Sequence, residues 1–392
     1  MDRVAYLDHA ATTPLRPEAR AAMARLLTDD LGNPSGSHSV ARRAKTALEE
    51  AREAVGGDLG SAPGEVVFTG GGTEGDNLAV LGAARAARRA GKGSRVIVTA
   101  IEHKAVLAAG ARLAADGFDV RVVGATPAGL VDLVDLERAL DPDTVLVSTM
   151  LVNNEVGTVQ PLARVAELVR ARAPHAVLHT DAVQGAPWLD LGATTREADL
   201  VSISAHKLGG PTGVGALVVR RGVELEPVLV GGGQERGLRS GTVNVPGAVG
   251  LAAALRATIE HRDEEVTRAR HLRDRLAAGL AQVEGVVENG DRARAVPGNH
   301  HVRIEGVDAE TLLVALDRAG VCAAAGSSCA SGAAEPSHVL VAMGLTRAEA
   351  RSAVRFSLGH TSRDEDVDRV LAVLPGIVAR IRDADRAPVS AA

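Results

Sequence analysis

Between residues 65 and 220 the chain alternates short β-rich runs with alanine-rich stretches of helical length. The runs are "EVVFT", "RVIVTA", "DVRVV", "TVLVSTML", "AVLHTDA", "LVSIS" and "GALVVRR", and the spacers predict helices over 73–89, 104–116 and 162–173. Apolar strands separated by helices call for a mostly parallel sheet sandwiched by helices, an α/β large domain. In such sheets ligands bind beyond the carboxyl ends of the strands. The residues that follow each run therefore carry the functional reading.

The rest of the chain is arranged around that unit. A glycine-rich break, "GGGQERGLRSGTVNVPG", spans 231–247, and a long polar helix is predicted over 249–283. A second series follows: "HHVRIEG", a helix near 309–319, "VCAAA", "AVRFSLG" and a last helix. It predicts a smaller α+β domain, so that 16–260 form the large domain and 261–392 the small one. The first fifty residues read as a lead-in and a helix that docks elsewhere.

Composition excludes several function classes. The net charge of −5 offers no basic field for nucleic acid or an anionic membrane. No apolar run reaches transmembrane length, and "MDRVAYLDHA" lacks the regions of a signal peptide. Two cysteines, Cys322 and Cys329, are too few for a zinc site or a disulfide framework, so no metal is expected and a cytoplasmic protein is. Of 44 cationic residues only Lys45, Lys92, Lys104 and Lys207 are lysine; the others are arginine. A lysine kept in such a background points to chemistry that arginine cannot do. Arginine stays protonated, whereas a desolvated lysine forms a Schiff base.

Three sites follow strands. After "VVFT" comes "GGGTEGDN" (70–77), whose glycines let backbone N–H groups approach an anion at a helix start. The same spacing fits a dinucleotide fingerprint, with Glu102 after the next strand as a ribose ligand, or a plain tight turn. After "AVLHT" come Asp181 and Gln184; the acid reads as a helix cap or as the partner of a cationic ring nitrogen. After "LVSIS" come His206 and Lys207. A phosphate cradle, an acid for a pyridinium and a Schiff-base lysine are together what pyridoxal 5'-phosphate requires. A nicotinamide cofactor would use only the first.

Ten stretches in register along nearly the whole chain resemble the cysteine desulfurases, pyridoxal-phosphate enzymes of the aspartate-aminotransferase-like fold type I. They are "YLDHAATTP", "GNPSGSH", "VVFTGGGTEGDNLAV", "EHKAVL", "NNEVGTVQP", "HTDAVQ", "SAHKLGGPTGVGAL", "GGGQERGLRSGT", "GSSCAS" and "RFSLG". The loop around Cys329 is similar to that of the branch with a longer, mobile cysteine loop. Gly72 stands where many members carry alanine.

The resemblance implies roles. Lys207 holds the cofactor covalently, Asp181 pairs with the ring nitrogen, Gln184 with the ring hydroxyl, and His103 lies over the ring. Gly72, Thr73, Ser204 and His206 hold the phosphate, and Thr242 reaches the phosphate of a second subunit, which implies a homodimer. Asn154, at the cofactor, and Arg355 receive the substrate carboxylate. Residues 1–15 join the small domain. Lys207 removes the α-proton of L-cysteine and Cys329 attacks its sulfur, giving L-alanine and a Cys329 persulfide for sulfur-acceptor proteins that serve iron–sulfur, tRNA-thiolation or cofactor synthesis. The competing readings are a selenocysteine lyase or other C–S lyase, a non-catalytic sulfur-trafficking subunit, and a Rossmann-type nucleotide binder. Cys322, in "GVCAAAG", reads as a small core residue.

Overall fold

The computed structural model describes residues 4–27, 32–326 and 335–386; Cys329 lies outside the described residues. The chain opens with a two-residue strand, β1 (Ala5–Tyr6), and two helices, α1 (Pro17–Ala24) and α2 (Ser39–Asp58). A central sheet follows, built from β2 (Val66–Thr69), β3 (Arg95–Thr99), β4 (Asp119–Val123), β5 (Thr144–Ser148), β6 (Val177–Asp181), β7 (Leu200–Ser204) and β8 (Gly215–Val219). Their order is β2-β8-β7-β6-β5-β3-β4. The five strands from β3 to β7 pair in parallel, and β8 alone runs antiparallel to its neighbours β2 and β7. The expected α/β sheet is present, mixed by that one strand.

Successive side chains of a strand point to opposite faces, and here both faces are covered except at the edge strand β4, where Arg121 and Val122 are exposed. Val67, Val98, Leu200 and Leu217 pack on one face with α3 (Gly72–Arg89) and α4 (Lys104–Ala115), which supply Leu78 and Val106. Phe68, Ile97, Val201 and Ala216 pack on the other with Val55 of α2. The crossovers α5 (Leu133–Ala139), α6 (Leu162–Arg172) and α7 (Leu191–Thr194) complete that layer through Leu136, Val165 and Leu191. With few aromatics to draw on, this interior is filled by valine, leucine and alanine.

A long helix, α8 (Val245–Leu280), serves two cores. Its first half gives Ala248, Leu251 and Leu255 to the central core, and its second gives Leu272, Leu276 and Leu280 to another. The helix begins four residues before the 249 predicted from sequence. Asn244 caps it by accepting from Gly247 N at 3.0 Å, and Pro246 is tolerated in the first turn. Beyond it lie β9 (Val286–Glu288), β10 (Asn299–Ile304), α9 (Ala309–Arg318), β11 (Val321–Cys322), α10 (His338–Ala342), α11 (Arg347–Arg351), β12 (Ala353–Ser357) and α12 (Asp364–Arg386). Strands β9, β10 and β12 form an antiparallel sheet in the order β12-β10-β9.

The N-terminal segment threads between the two parts. β1 pairs in parallel with β11, Asp8 bridges to Ser357 at the end of β12, and Thr13 N donates to His206 O at 3.0 Å. Residues 8–13 therefore pass along the carboxyl edge of the central sheet. Among the described residues no helix is long and apolar enough to cross a membrane.

Candidate cofactor and substrate site

Helix α3 starts within three residues of the end of β2. Its N-cap is Gly71, at φ 146°, a backbone conformation open to glycine, and no side chain caps the first turn. A Cβ on Gly72 would lie 2.9 Å from Val183 Cγ2, and one on Gly71 would meet Ser204 Oγ at 4.0 Å. The helix start is thus a cup of free backbone N–H groups, with the Ser204 hydroxyl at the end of β7 as its wall and Thr73 exposed at its rim. Such a cup favours an anion by hydrogen bonding and by the helix dipole.

β6 ends on Asp181, buried, whose Oδ1 accepts from Val183 N at 2.9 Å. The expected helix cap is not what forms: residues 183–188 are a turn, and the next helix, α7, is capped by Asp190, so the Asp181 oxygen closes a tight turn instead. Burial raises the Asp181 pKa, and His103, the Val183 amide and Lys207 pull it back down. Gln184, a turn later, donates Nε2 to Ala10 O at 2.8 Å. Lys207 ends the 3-10 turn that follows β7, and its Nζ donates at 2.6 Å to both Ala10 O and Ala11 O. His206 Nδ1 lies 3.2 Å from Thr12 Oγ1, and burial, with Lys207 beside it, lowers its pKa to about 4.

His103 caps α4. Its Nδ1 accepts from Ala105 N at 3.2 Å, so the neutral ring carries its proton on Nε2. Burial lowers its pKa; Asp181 opposes that and Lys207 adds to it. His103, Asp181 and Asp76 each place one ring-nitrogen or carboxylate-oxygen atom within 4.8 Å of the others.

Asp76 belongs to a buried polar layer behind Asp181 that sequence reasoning missed. His179 places Nδ1 2.9 Å from Ser148 Oγ and Nε2 3.0 Å from Ser202 Oγ, and Asp76 Oδ1 lies 3.6 Å from the same Nε2. Burial lowers the His179 pKa to about 3, so the ring is neutral, and burial with Asp181 beside it raises that of Asp76. A signal was present: Asp76 stands one helical turn after Gly72, which aims it at the sheet. The ribose reading of Glu102 fails here. Glu102 is fully buried, accepts from Thr99 Oγ1 at 2.7 Å and from Met150 N at 2.8 Å, and is pushed up to about 8 by burial.

Arg355 lies on β12 with its side chain 2% exposed. One terminal nitrogen donates to Asn154 O at 2.7 Å and the other to Asp8 Oδ1 at 2.9 Å. Asn154 thus meets Arg355 through its backbone, and its side chain is half-buried. Asp8 went unassigned in the sequence reading, although it lies inside "YLDHAATTP". Thr242 is exposed, in the loop before α8. Cys322 is half-buried, and burial raises its pKa.

The residues fit pyridoxal phosphate. The uncapped helix start and Ser204 suit its phosphate, buried Asp181 its ring nitrogen, and Lys207 its aldehyde carbon. Residues 5–370 match the family model described as aminotransferase class-V. The chain is 46% identical to the IscS-like cysteine desulfurase of Mycobacterium tuberculosis, over 99% of this chain and 100% of that protein. It is 41% identical to cysteine desulfurase IscS 1 of Archaeoglobus fulgidus, over 96% and 97%. Among solved structures it is similar to a NifS-like protein, with a TM-score of 0.90 at 36% identity over 96% of this chain and 100% of that one. It is also similar to DndA from Streptomyces lividans, with a TM-score of 0.77 at 41% identity over 90% and 99%.

Proposed function

Since the chain belongs to the class-V aminotransferase family, as a cysteine desulfurase that uses pyridoxal phosphate, we propose that Lys207, Asp181, His103, Arg355 and Cys329 divide the removal of sulfur from L-cysteine among them. The observation that carries this assignment is the convergence of Lys207, Asp181 and His103 beside the uncapped start of α3. Bound there, pyridoxal phosphate supplies an electron sink for the α-carbon of the substrate.

The chain's own residues do the rest. The amide cup of Gly72 and Thr73, with Ser204 and His206, holds the phosphate. With the cofactor bound, the Asp181 carboxylate would hold a proton on the ring nitrogen and Gln184 would bind the ring hydroxyl. Arg355 and Asn154 orient the substrate carboxylate. Lys207 Nζ takes the α-proton of cysteine and returns a proton to the product. His103, with a ring nitrogen near Asp181, serves as a proton carrier at the site. The Cys329 thiolate attacks the substrate sulfur: an S–S bond forms, the C–S bond breaks, and L-cysteine with the Cys329 thiol becomes L-alanine with a Cys329 persulfide. A sulfur-acceptor protein then receives the outer sulfur, in a reducing compartment such as the cytoplasm.

Two copies form the working unit, with Thr242 of each completing the phosphate site of the other. The exposed loop that carries Thr242 and the preceding apolar residues Val228, Leu229 and Val230, of which Val230 is 75% exposed, support that arrangement. The test is a single incubation of the loaded enzyme with L-cysteine, followed by quantitation of alanine and protein-bound sulfane sulfur. Equal amounts in the first turnover are expected. Alanine with free sulfide and no bound sulfur would refute the persulfide step.

A further inference from the structure

We propose that Asp8 is a positioning residue of the substrate-carboxylate site, fixing the plane of the Arg355 guanidinium and offsetting the positive charge a substrate carboxylate would otherwise meet. The inference rests on the reading of Arg355 as the carboxylate receptor. A guanidinium has five N–H donors in a rigid plane. In Arg355 one is taken by Asp8 Oδ1 at 2.9 Å and one by Asn154 O at 2.7 Å, while Nε, fully buried, has no partner among the described residues. The two anchors sit on different terminal nitrogens and come from different elements, so the plane is set before any substrate arrives. With Nε enclosed, one N–H on each terminal nitrogen remains for a planar carboxylate.

Asp8 is itself held. It bridges to Ser357, two residues beyond Arg355 on the same strand; its carbonyl accepts from Ala11 N at 3.1 Å and from Tyr6 Oη at 3.2 Å. Across the sheet His301 pairs with Arg355, and burial and Arg355 lower its pKa to about 3, so it adds no charge. Glu155 lies near enough for Arg355 to act on its carboxyl, which burial pushes up. Asp8 is the carboxylate that bonds Arg355 directly. Without it the buried guanidinium would keep its full charge and lose one of its two anchors. With it, the arginine is oriented, and the pair attracts an incoming carboxylate less than a bare cation would.

Orientation and charge make opposite demands, and two substitutions separate them. Asp8→Asn keeps an acceptor oxygen in place and removes the charge, so the KM for L-cysteine should fall, roughly threefold on the scale of a partly screened ion pair. Asp8→Ala removes the anchor as well, and KM should rise roughly tenfold, as for a lost charged hydrogen bond. In both, kcat should change less than KM. The equilibrium dissociation constant for L-alanine, read from the visible spectrum of the bound cofactor in the holoenzyme, should move in the same two directions. That for cysteamine, which lacks a carboxylate, should not move. If Asp8→Asn weakens cysteine and alanine as Asp8→Ala does, or if cysteamine follows them, Asp8 is only a structural support. Arg355→Lys is the control. If it leaves alanine binding unchanged, Arg355 is not the carboxylate receptor and the inference falls with that reading. If it weakens alanine while neither Asp8 variant moves it, the inference alone is wrong.

Discussion

The Glu235 carboxylate accepts from both terminal nitrogens of the Arg52 guanidinium, at 2.7 Å each, with the two side chains 2% and 6% exposed. The pair joins helix α2 to the glycine-rich loop over 231–242, and Glu235 Oε2 also accepts from Phe68 N at 2.8 Å, at the strand that leads into α3. Glu235 and Arg236 both take positive φ, 48° and 58°, without being glycine. Arg239, further along the loop, binds Glu74 in the first turn of α3 at 2.7 Å. The loop that presents Thr242 is thereby fixed to the same helix start that forms the amide cup.

Breaking that pair from one side should be costly. Glu235→Ala strands a buried guanidinium and the Phe68 amide together, and a loss of about 3–5 kcal/mol is expected from removal of one partner of a buried pair. Denaturant unfolding of the purified variant measures it. A change within the range of a surface substitution would show that water replaces the carboxylate.

Lys207→Arg should leave a protein that takes up pyridoxal phosphate without the visible absorbance of the lysine-bound form. Arginine keeps the charge and cannot form the imine. Borohydride reduction followed by peptide mapping checks it. A labelled peptide containing Lys45, Lys92 or Lys104 would move the covalent site.

The two cysteines should separate cleanly. After brief exposure to L-cysteine, mass spectrometry should find the added sulfur on the Cys329 peptide, and Cys329→Ser should abolish it. A serine hydroxyl is not ionised near neutral pH and is a poor nucleophile toward sulfur. Cys322→Ser should retain the persulfide, since Cys322 sits in the β1–β11 pairing. Added sulfur on Cys322 with Cys329 unmodified would overturn the assignment.

Glu102 gives a pH dependence of known sign. Burial holds its pKa at about 8 in the folded chain, above the 4.5 of an ordinary glutamate, so the stability it contributes is fully present below 4.5 and is lost as pH rises through 8. Between pH 6.5 and 9 the folded state should lose about 2 kcal/mol from this group. Glu102→Gln, neutral at every pH, should flatten that part of the profile. Thermal unfolding of the two proteins across this range tests it, and parallel profiles would mean that Glu102 is already ionised at pH 6.5.

The alternation of apolar runs and alanine-rich spacers determined the layered sheet and most element positions from sequence alone, because period-two burial and helix signals are local. Helix α8 was misplaced at its start, since Asn244 capping and Pro246 in the first turn outweigh the weak apolar pattern there. The candidate site was legible as far as it follows strand ends: Asp181, Gln184, Ser204, His206 and Lys207 stand on a common edge because parallel strands put their carboxyl ends side by side. What the sequence could not show is which groups meet. Asp8 and Arg355 bond across 347 positions, His179 settles between two serines and Asp76, and the N-terminal carbonyls of Ala10 and Ala11 hold Lys207. Burial, which turns Glu102 from a candidate ribose ligand into a neutral core acid, is set by everything packed around it. Local sequence fixes which chemistry a residue offers, and only the packed tertiary structure fixes its partner, its charge and the face it presents.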